Sequence, residues 1–175
     1  MAEKGADMTA TSIIVMGVSG SGKSTIGAEL ARALNIKFID GDDLHPRANI
    51  EKMAAGDPLN DDDRAPWLQR INDATFSFTH KQEGGVIVCS ALKKAYRDAI
   101  RRDNQNLVFV FLDGEQVMIS ERMRQRKGHF MKPGMLDSQF AALQRPTEEE
   151  TDVLTISIAP PVDEIVSNIC QALAD

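Results

Sequence analysis

The stretch Gly17-Val18-Ser19-Gly20-Ser21-Gly22-Lys23-Ser24 matches the pattern G-x-x-x-x-G-K-[ST], a loop that wraps nucleotide phosphates. The apolar residues 12–16 before it predict a buried strand, and apolar residues at helical spacing after it predict a helix. A strand that leads into a helix places the positive helix N-terminus against the phosphates. The sequence therefore predicts a nucleoside triphosphate site.

The residues of this loop contribute different groups to such a site. The glycines allow successive backbone N–H groups to turn inward around an anion. Lys23 adds a positive charge toward the β- and γ-phosphates, and the hydroxyl of Ser24 is expected to hold Mg²⁺. The predicted nucleotide-binding residues are Gly17, Ser19, Gly20, Ser21, Gly22, Lys23, Ser24 and Thr25.

The composition limits the class of protein. A chain of 175 residues predicts one domain, over 12–175, and the polar residues 1–11 are interpreted as a flexible leader without the apolar region of a secretory signal. The net charge of −6 argues against a protein that coats nucleic acid, and no apolar run is long enough to span a bilayer. Cys89 and Cys170 lack metal-ligand spacing and are predicted to be core thiols, which favours the cytoplasm.

Apolar runs alternate with helical patterns along the chain, which predicts an α/β fold with a parallel sheet and helices on both faces. Thr155 and Ser157 alternate with apolar residues and predict an edge strand. Ligands of such sheets bind beyond the carboxyl ends of the strands, so the residues after each strand are candidates for the site. The predicted strands are residues 13–16, 36–39, 86–89, 107–112 and 154–158.

Two carboxylates follow the second predicted strand. We predict that Asp42 accepts the proton of an attacking hydroxyl and that Asp40 lies on the metal side. The alternative is an acidic turn that caps a helix starting near His45. His45 itself is either a residue of that helix start or a hydrogen-bond partner of a polar substrate.

A hydroxyl and several basic side chains follow the third predicted strand. Ser90 supplies the hydroxyl, and Lys93 lies close enough to the strand end to reach an anion. Lys93 and Arg97 are both predicted to contact the substrate. A solvated basic face is the alternative, above all for Lys94.

A basic helix end then leads into a segment bracketed by Gly128 and Pro133-Gly134, which predicts a lid over residues 126–136. Arg122 and Arg126 share one helix face because they lie four residues apart. Arg126 is expected to stabilise the charge of the transition state, and Arg122 to stack on the base or clamp a phosphate. An exposed charged helix followed by a loop is the alternative.

The chain resembles the gluconate kinase family, and the resemblance runs from Ile13 to the end of the chain. It implies a five-stranded parallel sheet of the nucleoside-monophosphate and shikimate kinase type, with a substrate-binding helical region at about 43–82 and a lid. It also implies ATP-dependent phosphorylation of D-gluconate at the 6-hydroxyl, with Mg²⁺, in the bacterial cytoplasm and in a homodimer. The blocks that carry the resemblance are G-V-S-G-S-G-K-S, D-G-D-D-L-H-P, P-L-N-D-D-D-R, C-S-A-L-K-K-x-Y-R and R-K-G-H-F-M.

The resemblance adds further candidate residues. It implies that Lys52 and His129 bind the substrate, and that a loop at residues 159–161 packs on the adenine. Shikimate kinases carry an arginine that grips the substrate carboxylate, and its position along the chain falls at or near Arg64. The alternative for residues 61–64 is a solvated helix cap.

Other functions remain open from the sequence. Within the kinases, the acceptor could be shikimate, adenylyl sulfate or a nucleoside monophosphate. A nucleotide switch is the alternative from another class, although the N-K-x-D base reader of guanine-specific switches does not occur in the sequence.

Overall fold

The computed structural model describes residues 11–125 and 134–175. Within these ranges the chain forms a parallel sheet of five strands and seven α-helices. The strands are β1 Ser12–Met16, β2 Lys37–Asp40, β3 Gly85–Val88, β4 Leu107–Asp113 and β5 Val153–Ser157. The helices are α1 Lys23–Leu34, α2 Arg47–Ala54, α3 Asp61–His80, α4 Lys94–Arg101, α5 Gln116–Arg124, α6 Met135–Ala142 and α7 Val162–Ala174.

The strand order is β2-β3-β1-β4-β5, which places the phosphate-loop strand at the centre of the sheet. In the register of this sheet, Ser12 lies opposite Gly85 on one side and Leu107 on the other. Every residue of β1 is buried, as expected for a central strand covered on both faces. Because all strands are parallel, the loops after β1, β2, β3 and β4 meet at one edge of the sheet.

The side chains of β1 alternate between two apolar layers. Ile13 and Val15 pack with the layer that includes Leu30 of α1 and Ile169 of α7. Ile14 and Met16 pack on the other face, in a cluster with apolar side chains of α3 and α4. The sheet is thus buried on both faces, which fixes the loop at the end of β1 on a rigid base.

The predicted fold class is confirmed, and each predicted strand agrees with the structure to within one residue at either end. The predicted edge strand is β5, where the side chains of Thr155 and Ser157 are exposed. None of the helices in the described ranges is both long and apolar enough to cross a bilayer.

The structure differs in detail from some local expectations, and the expected lid stays a prediction. The helix expected near His45 begins at Arg47 and is preceded by a 3₁₀ turn, Gly41–Leu44. Thr11 does not belong to a flexible leader, because it is buried and its carbonyl accepts a hydrogen bond from the Gly85 N–H. Cys170 is only half-buried. Of the predicted lid, residues 126–133 lie outside the described part, and residues 135–136 begin α6.

Candidate active site

The phosphate loop connects the end of β1 to the start of α1 through residues 17–22. Gly20 has a φ of 83°, and a Cβ atom at this position would lie 2.4 Å from the Sδ atom of Met123. Gly22 has a φ of 94° and precedes α1 with no side chain that caps the helix. The N–H groups at the start of α1 are therefore left for a ligand, as in helix N-termini that bind phosphate.

The loop also fits the groups that a nucleotide would bring. The hydroxyl of Ser21 is buried and has no hydrogen-bond partner among the described residues. Neither range of the structure holds a cluster of three or more His, Cys, Asp or Glu side chains that could bind a metal by itself.

Lys23 is the first residue of α1, and its Nζ donates to the Val18 carbonyl at 3.0 Å. Burial lowers the pKa of Lys23, while the negative charges of Asp42 and Asp40 act in the opposite direction. These carboxylates follow β2, so the lysine of the phosphate loop and the acids after β2 share one electrostatic environment. The structure brings together the groups expected at this edge of the sheet.

Asp40 and Asp42 interact through the backbone of the 3₁₀ turn. The Asp40 carboxylate accepts a hydrogen bond from the Asp42 N–H at 3.0 Å and so caps the turn. Removal of water by the surrounding protein raises the pKa of Asp42, and the charge of Asp40 raises it further. A carboxylate whose pKa is raised is a stronger base than an ordinary aspartate, which suits proton abstraction.

His45 lies in the wall beside these acids and is only 7% exposed. Its ring stacks on Trp67 with centroids 4.3 Å apart, and the Nδ2 atom of Asn49 lies 3.1 Å from its Nδ1. The same amide nitrogen donates to the Asp63 carbonyl, so it also donates to Nδ1, and the proton of a neutral imidazole is on Nε2. Burial lowers the pKa of His45, which keeps the ring neutral. His45 thus retains one donor for a ligand.

A second cleft opens between α3 and the loop after β3. Arg64 Nη1 donates to the hydroxyl of Tyr96 at 3.2 Å, and Lys93 Nζ lies 5.6 Å from the centroid of the Tyr96 ring. The Tyr96 hydroxyl donates to Asp61 at 2.6 Å. The cleft is lined by Leu59, Asn60, Asp61, Asp62, Arg64 and Lys93.

Arg64 and Lys93 give the cleft two positive charges, which the carboxylate of Asp61 partly neutralises. Arg64 Nη1 lies 3.7 Å from Asp61 Oδ1, whose side chain is largely exposed. The hydrogen bond from Tyr96 lowers the pKa of Asp61, and the charge of Lys93 lowers it further. Tyr96, Lys93 and Arg64 therefore stabilise the charged carboxylate of Asp61, and the same three groups are suited to bind the carboxylate of a ligand.

The two parts of the site are electrostatically continuous. The charges of Asp42 and Arg64 both affect the pKa of His45, and the charge of Lys23 affects the pKa of Asp42. The candidate site therefore runs from the phosphate loop, past the acids after β2, to the cationic cleft.

Arg97 was wrongly predicted to bind the substrate. Its side chain is fully buried, and it forms a double ion pair with Glu150 at 2.7 and 2.8 Å. The remaining N–H groups donate to the carbonyls of Ala91, Leu92 and Gln144. All five donors of the guanidinium are thus used within the protein.

Lys52 also differs from its prediction. Its Nζ forms an ion pair with Asp63 at 2.6 Å and does not line the cationic cleft. The side chains of Asn60 and Asp63 form the capping box of α3, so Lys52 ties α2 to the start of that helix. Lys52 therefore helps to fix the position of α3, the helix that carries Arg64.

Arg122 lies on the opposite side of the phosphate loop. Its guanidinium donates to the carbonyls of Ile158 and Ala159 at 2.6 and 3.0 Å, which tethers the segment after β5 to α5. A groove forms here between the phosphate loop and the start of α7. Its walls include Gly20, Thr25, Arg122, Met123, Pro160 and Pro161.

The other predicted residues fall into two groups. Ser24 and Thr25 are exposed on the first turn of α1, and Ser90 is half-buried with its carbonyl accepting from the Gly17 N–H at 3.2 Å. Arg126 and His129 lie outside the described residues.

Sequence reasoning missed the roles of Tyr96, Trp67 and Asn49. Tyr96 lies in the block C-S-A-L-K-K-x-Y-R, and nothing in its spacing indicates that Arg64 and Lys93 both lie 5.6 Å from the centroid of its ring. The Nε1 atom of Trp67 donates to the Gly41 carbonyl at 2.8 Å, a contact that joins residues 26 positions apart and that no local pattern indicates.

Comparison with known proteins is consistent with this geometry. The family described as shikimate kinase matches residues 19–174. The chain is 52% identical over 160 residues to a thermoresistant gluconokinase of Escherichia coli, with 91% of each chain covered. It is 50% identical to the thermosensitive gluconokinase of the same organism, covering 95% of this chain and 89% of that one. A crystal structure of a gluconokinase from Sinorhizobium meliloti superposes with a TM-score of 0.84 at 45% identity, over 95% of this chain and 93% of that one.

Replacement of Arg97 tests its structural role. Arg97→Met leaves Glu150 buried with only Arg101 as a cationic partner, at 3.0 Å. We expect the free energy of unfolding to fall by about 3 kcal/mol, the lower end of the range for a broken buried ion pair, as measured by urea denaturation. Arg32→Met, which breaks the exposed pair with Glu29, is the control and should cost about 1 kcal/mol or less. Equal losses in the two variants would contradict the structural assignment.

Proposed function

The chain belongs to the gluconokinases, within the shikimate kinase family, and is therefore a kinase; on this premise we propose that it transfers the γ-phosphoryl group of ATP to the 6-hydroxyl of D-gluconate. The products are 6-phospho-D-gluconate and ADP. The observation that carries the proposal is the continuity of the site. Lys23 follows the central strand β1 and Asp42 follows β2, at the same edge of the sheet. His45, just after the acidic turn, stacks on Trp67 of α3, whose N–H donates to the Gly41 carbonyl, and α3 also carries Arg64 of the cationic cleft.

The phosphate loop and its flanks bind the nucleotide in this proposal. Backbone N–H groups at the start of α1 and the ammonium of Lys23 contact the phosphates. The adenine occupies the groove between Met123 and Pro160, and Arg122 forms part of its wall. Mg²⁺, when bound with ATP, neutralises charge on the β- and γ-phosphates, and Ser24 and Asp40 are the residues that would hold it.

The cationic cleft binds the acidic end of the substrate. Arg64 and Lys93 bind the carboxylate of gluconate, displacing the contact between Arg64 and Asp61. His45 donates from Nε2, and Ser90 offers its hydroxyl, to the hydroxyl groups along the chain of the sugar acid. These contacts orient gluconate with its far end toward the acids after β2.

Asp42 acts as the general base at that end. It accepts the proton of the 6-hydroxyl as the hydroxyl oxygen forms a bond to the γ-phosphorus, and the bond from phosphorus to the β-γ bridging oxygen breaks in line. Lys23 faces the charge that develops on the phosphoryl oxygens. Arg126 remains the proposed further cation for this charge on the basis of the sequence alone.

The cellular setting follows from the resemblance to gluconate kinases. We propose a cytoplasmic homodimer on that ground.

The acceptor test is ADP release measured with D-gluconate, other aldonates, shikimate, adenylyl sulfate and nucleoside monophosphates supplied in turn. We expect the highest kcat/KM with D-gluconate, and much slower turnover when no acceptor is present, because water lacks the carboxylate that Arg64 and Lys93 would bind to orient the acceptor. A higher kcat/KM with shikimate, or no stimulation by gluconate, would contradict the proposed function.

The base is tested by Asp42→Asn. We expect kcat to fall by about 10²- to 10⁴-fold while ATP affinity is nearly unchanged, because the amide cannot accept the proton. Because the base must be deprotonated, kcat/KM of the unmodified enzyme should fall as the pH is lowered through the pKa of Asp42. The raised pKa of Asp42 predicts that this fall occurs at a pH above about 3.9, the ordinary value for aspartate. The variant should lose this acidic limb. Asp43→Asn, on the same turn, is the matched control and should keep it.

Substitutions of Lys93 and Arg64, with the neighbouring Lys94 as a control, test whether the cleft binds the carboxylate of gluconate. Lys93→Met and Arg64→Ala should each raise the KM for gluconate by about 10- to 100-fold, the loss expected for a charged hydrogen bond, and leave the KM for ATP unchanged. Lys94→Met is the matched control, because Lys94 pairs with Asp98 at 3.0 Å on the exposed side of α4. If Lys94→Met raises the KM for gluconate as much as Lys93→Met, the cleft does not bind the carboxylate.

A further inference from the structure

Residues 139–145, at the end of α6 and just after it, contact the loops that follow three adjacent strands of the sheet. We call these residues the 139–145 segment. It reaches the phosphate loop after β1, the acceptor-side loop after β3 and the end of β4. These strands are neighbours in the order β3-β1-β4, so the segment spans the middle of the edge where the site lies.

Gln139 provides the contact with the phosphate loop. Its Oε1 accepts a hydrogen bond from the Ser19 N–H at 3.0 Å, across 120 positions of the sequence. Ser19 is the third residue of the loop, and its backbone position influences how the following N–H groups face a phosphate. An amide oxygen from α6 thus holds one point of the nucleotide side of the site.

Gln144 provides the contact with the acceptor side. Its N–H donates to the Leu92 carbonyl and its Oε1 accepts from the Lys94 N–H, both at 2.8 Å. Its carbonyl accepts from the buried Arg97 at 2.9 Å. Gln144 therefore grips the backbone on both sides of Lys93, which lines the cationic cleft.

The loop that Gln144 grips is held in an uncommon conformation. Ala91 has a φ of 45°, a left-handed value that a residue with a Cβ rarely adopts. The carbonyls of Ala91 and Leu92 accept from Arg97, and Leu92 also accepts from Gln144. Such a conformation persists only where surrounding contacts determine it.

The segment is itself fixed to the sheet. Arg145 forms a double ion pair with Asp113, at the end of β4, and lies over the ring of Phe111. Phe140 and Leu143 are half-buried against the core. The two glutamines are thus carried by one short, anchored piece of chain, only five positions apart.

We propose that Gln139 and Gln144 are positioning residues that couple the binding of the nucleotide to the binding of the acidic acceptor. A ligand that orders the phosphate loop also fixes Gln139, and through the 139–145 segment it fixes Gln144 and the loop that carries Lys93. The second ligand then has less ordering to accomplish, which makes binding cooperative. This inference rests on the proposed function.

The test is a set of calorimetric titrations of the full chain with D-gluconate, with and without a saturating non-hydrolysable ATP analogue and Mg²⁺. In the unmodified protein we expect the analogue to increase gluconate affinity by about fivefold or more, a typical coupling between two sites. In Gln139→Leu and in Gln144→Leu this factor should fall below about twofold. Gluconate affinity without the analogue should change little in Gln139→Leu, whereas Gln144→Leu should also lower it, because the contact of Gln144 with the Lys94 N–H beside Lys93 is lost. A purely structural role would weaken gluconate binding equally in both titrations.

The controls separate the possible failures. Ser138→Ala changes a neighbouring residue of α6 whose hydroxyl donates only to the Met135 carbonyl, and it should keep the full factor. The double variant should show no further loss, since the two glutamines act on one segment. Full coupling in Gln139→Leu, or no coupling in the unmodified protein, would overturn the inference alone. No gluconate binding by the unmodified protein under either condition would overturn the proposed function as well.

Discussion

The half-buried Lys23 begins α1 with its Nζ hydrogen-bonded to the Val18 carbonyl, and the rest of the site is arranged around this cation. Burial alone favours the neutral amine, while Asp42 and Asp40 oppose this by stabilising the cation. Lys23 in turn favours the charged form of Asp42, but the exclusion of water and the charge of Asp40 outweigh this effect and raise the pKa of Asp42. A half-buried cation near a carboxylate of increased basicity suits the proposed phosphoryl transfer to a hydroxyl, in which Lys23 faces the phosphate and Asp42 accepts the proton.

The acids and the lysine meet because the sheet is parallel and buried on both faces. Each strand ends at the same edge, so residues distant in sequence become neighbours without long loops. The helices α2 and α3 then form the outer wall through a compact polar network, in which Asn49 links His45 to the Asp63 carbonyl. Lys52 completes the network by pairing with the Asp63 side chain. This polar network and the apolar packing of α3 on the sheet together position Arg64.

The sequence was sufficient for features that local chemistry determines. The phosphate loop, the strand positions and the acidic turn after β2 are set by residues that lie close together in the chain. Arg97 could not be assigned in this way, because its partner Glu150 is 53 positions away and nothing near Arg97 distinguishes a buried arginine from an exposed one. The same holds for Tyr96, whose partners Arg64 and Asp61 come from another helix. The sequence does not indicate which polar side chains pair when the partners lie far apart in the chain.

Trp67 is the single tryptophan of the chain, and it stands in the wall of the site. Its indole stacks on the imidazole of His45, and its N–H is bonded to the backbone of the turn that carries Asp42. All tryptophan fluorescence of the chain therefore originates beside the turn that carries Asp42. The enzyme thus carries an intrinsic optical probe, and changes in its emission report events at this wall without a chemical label.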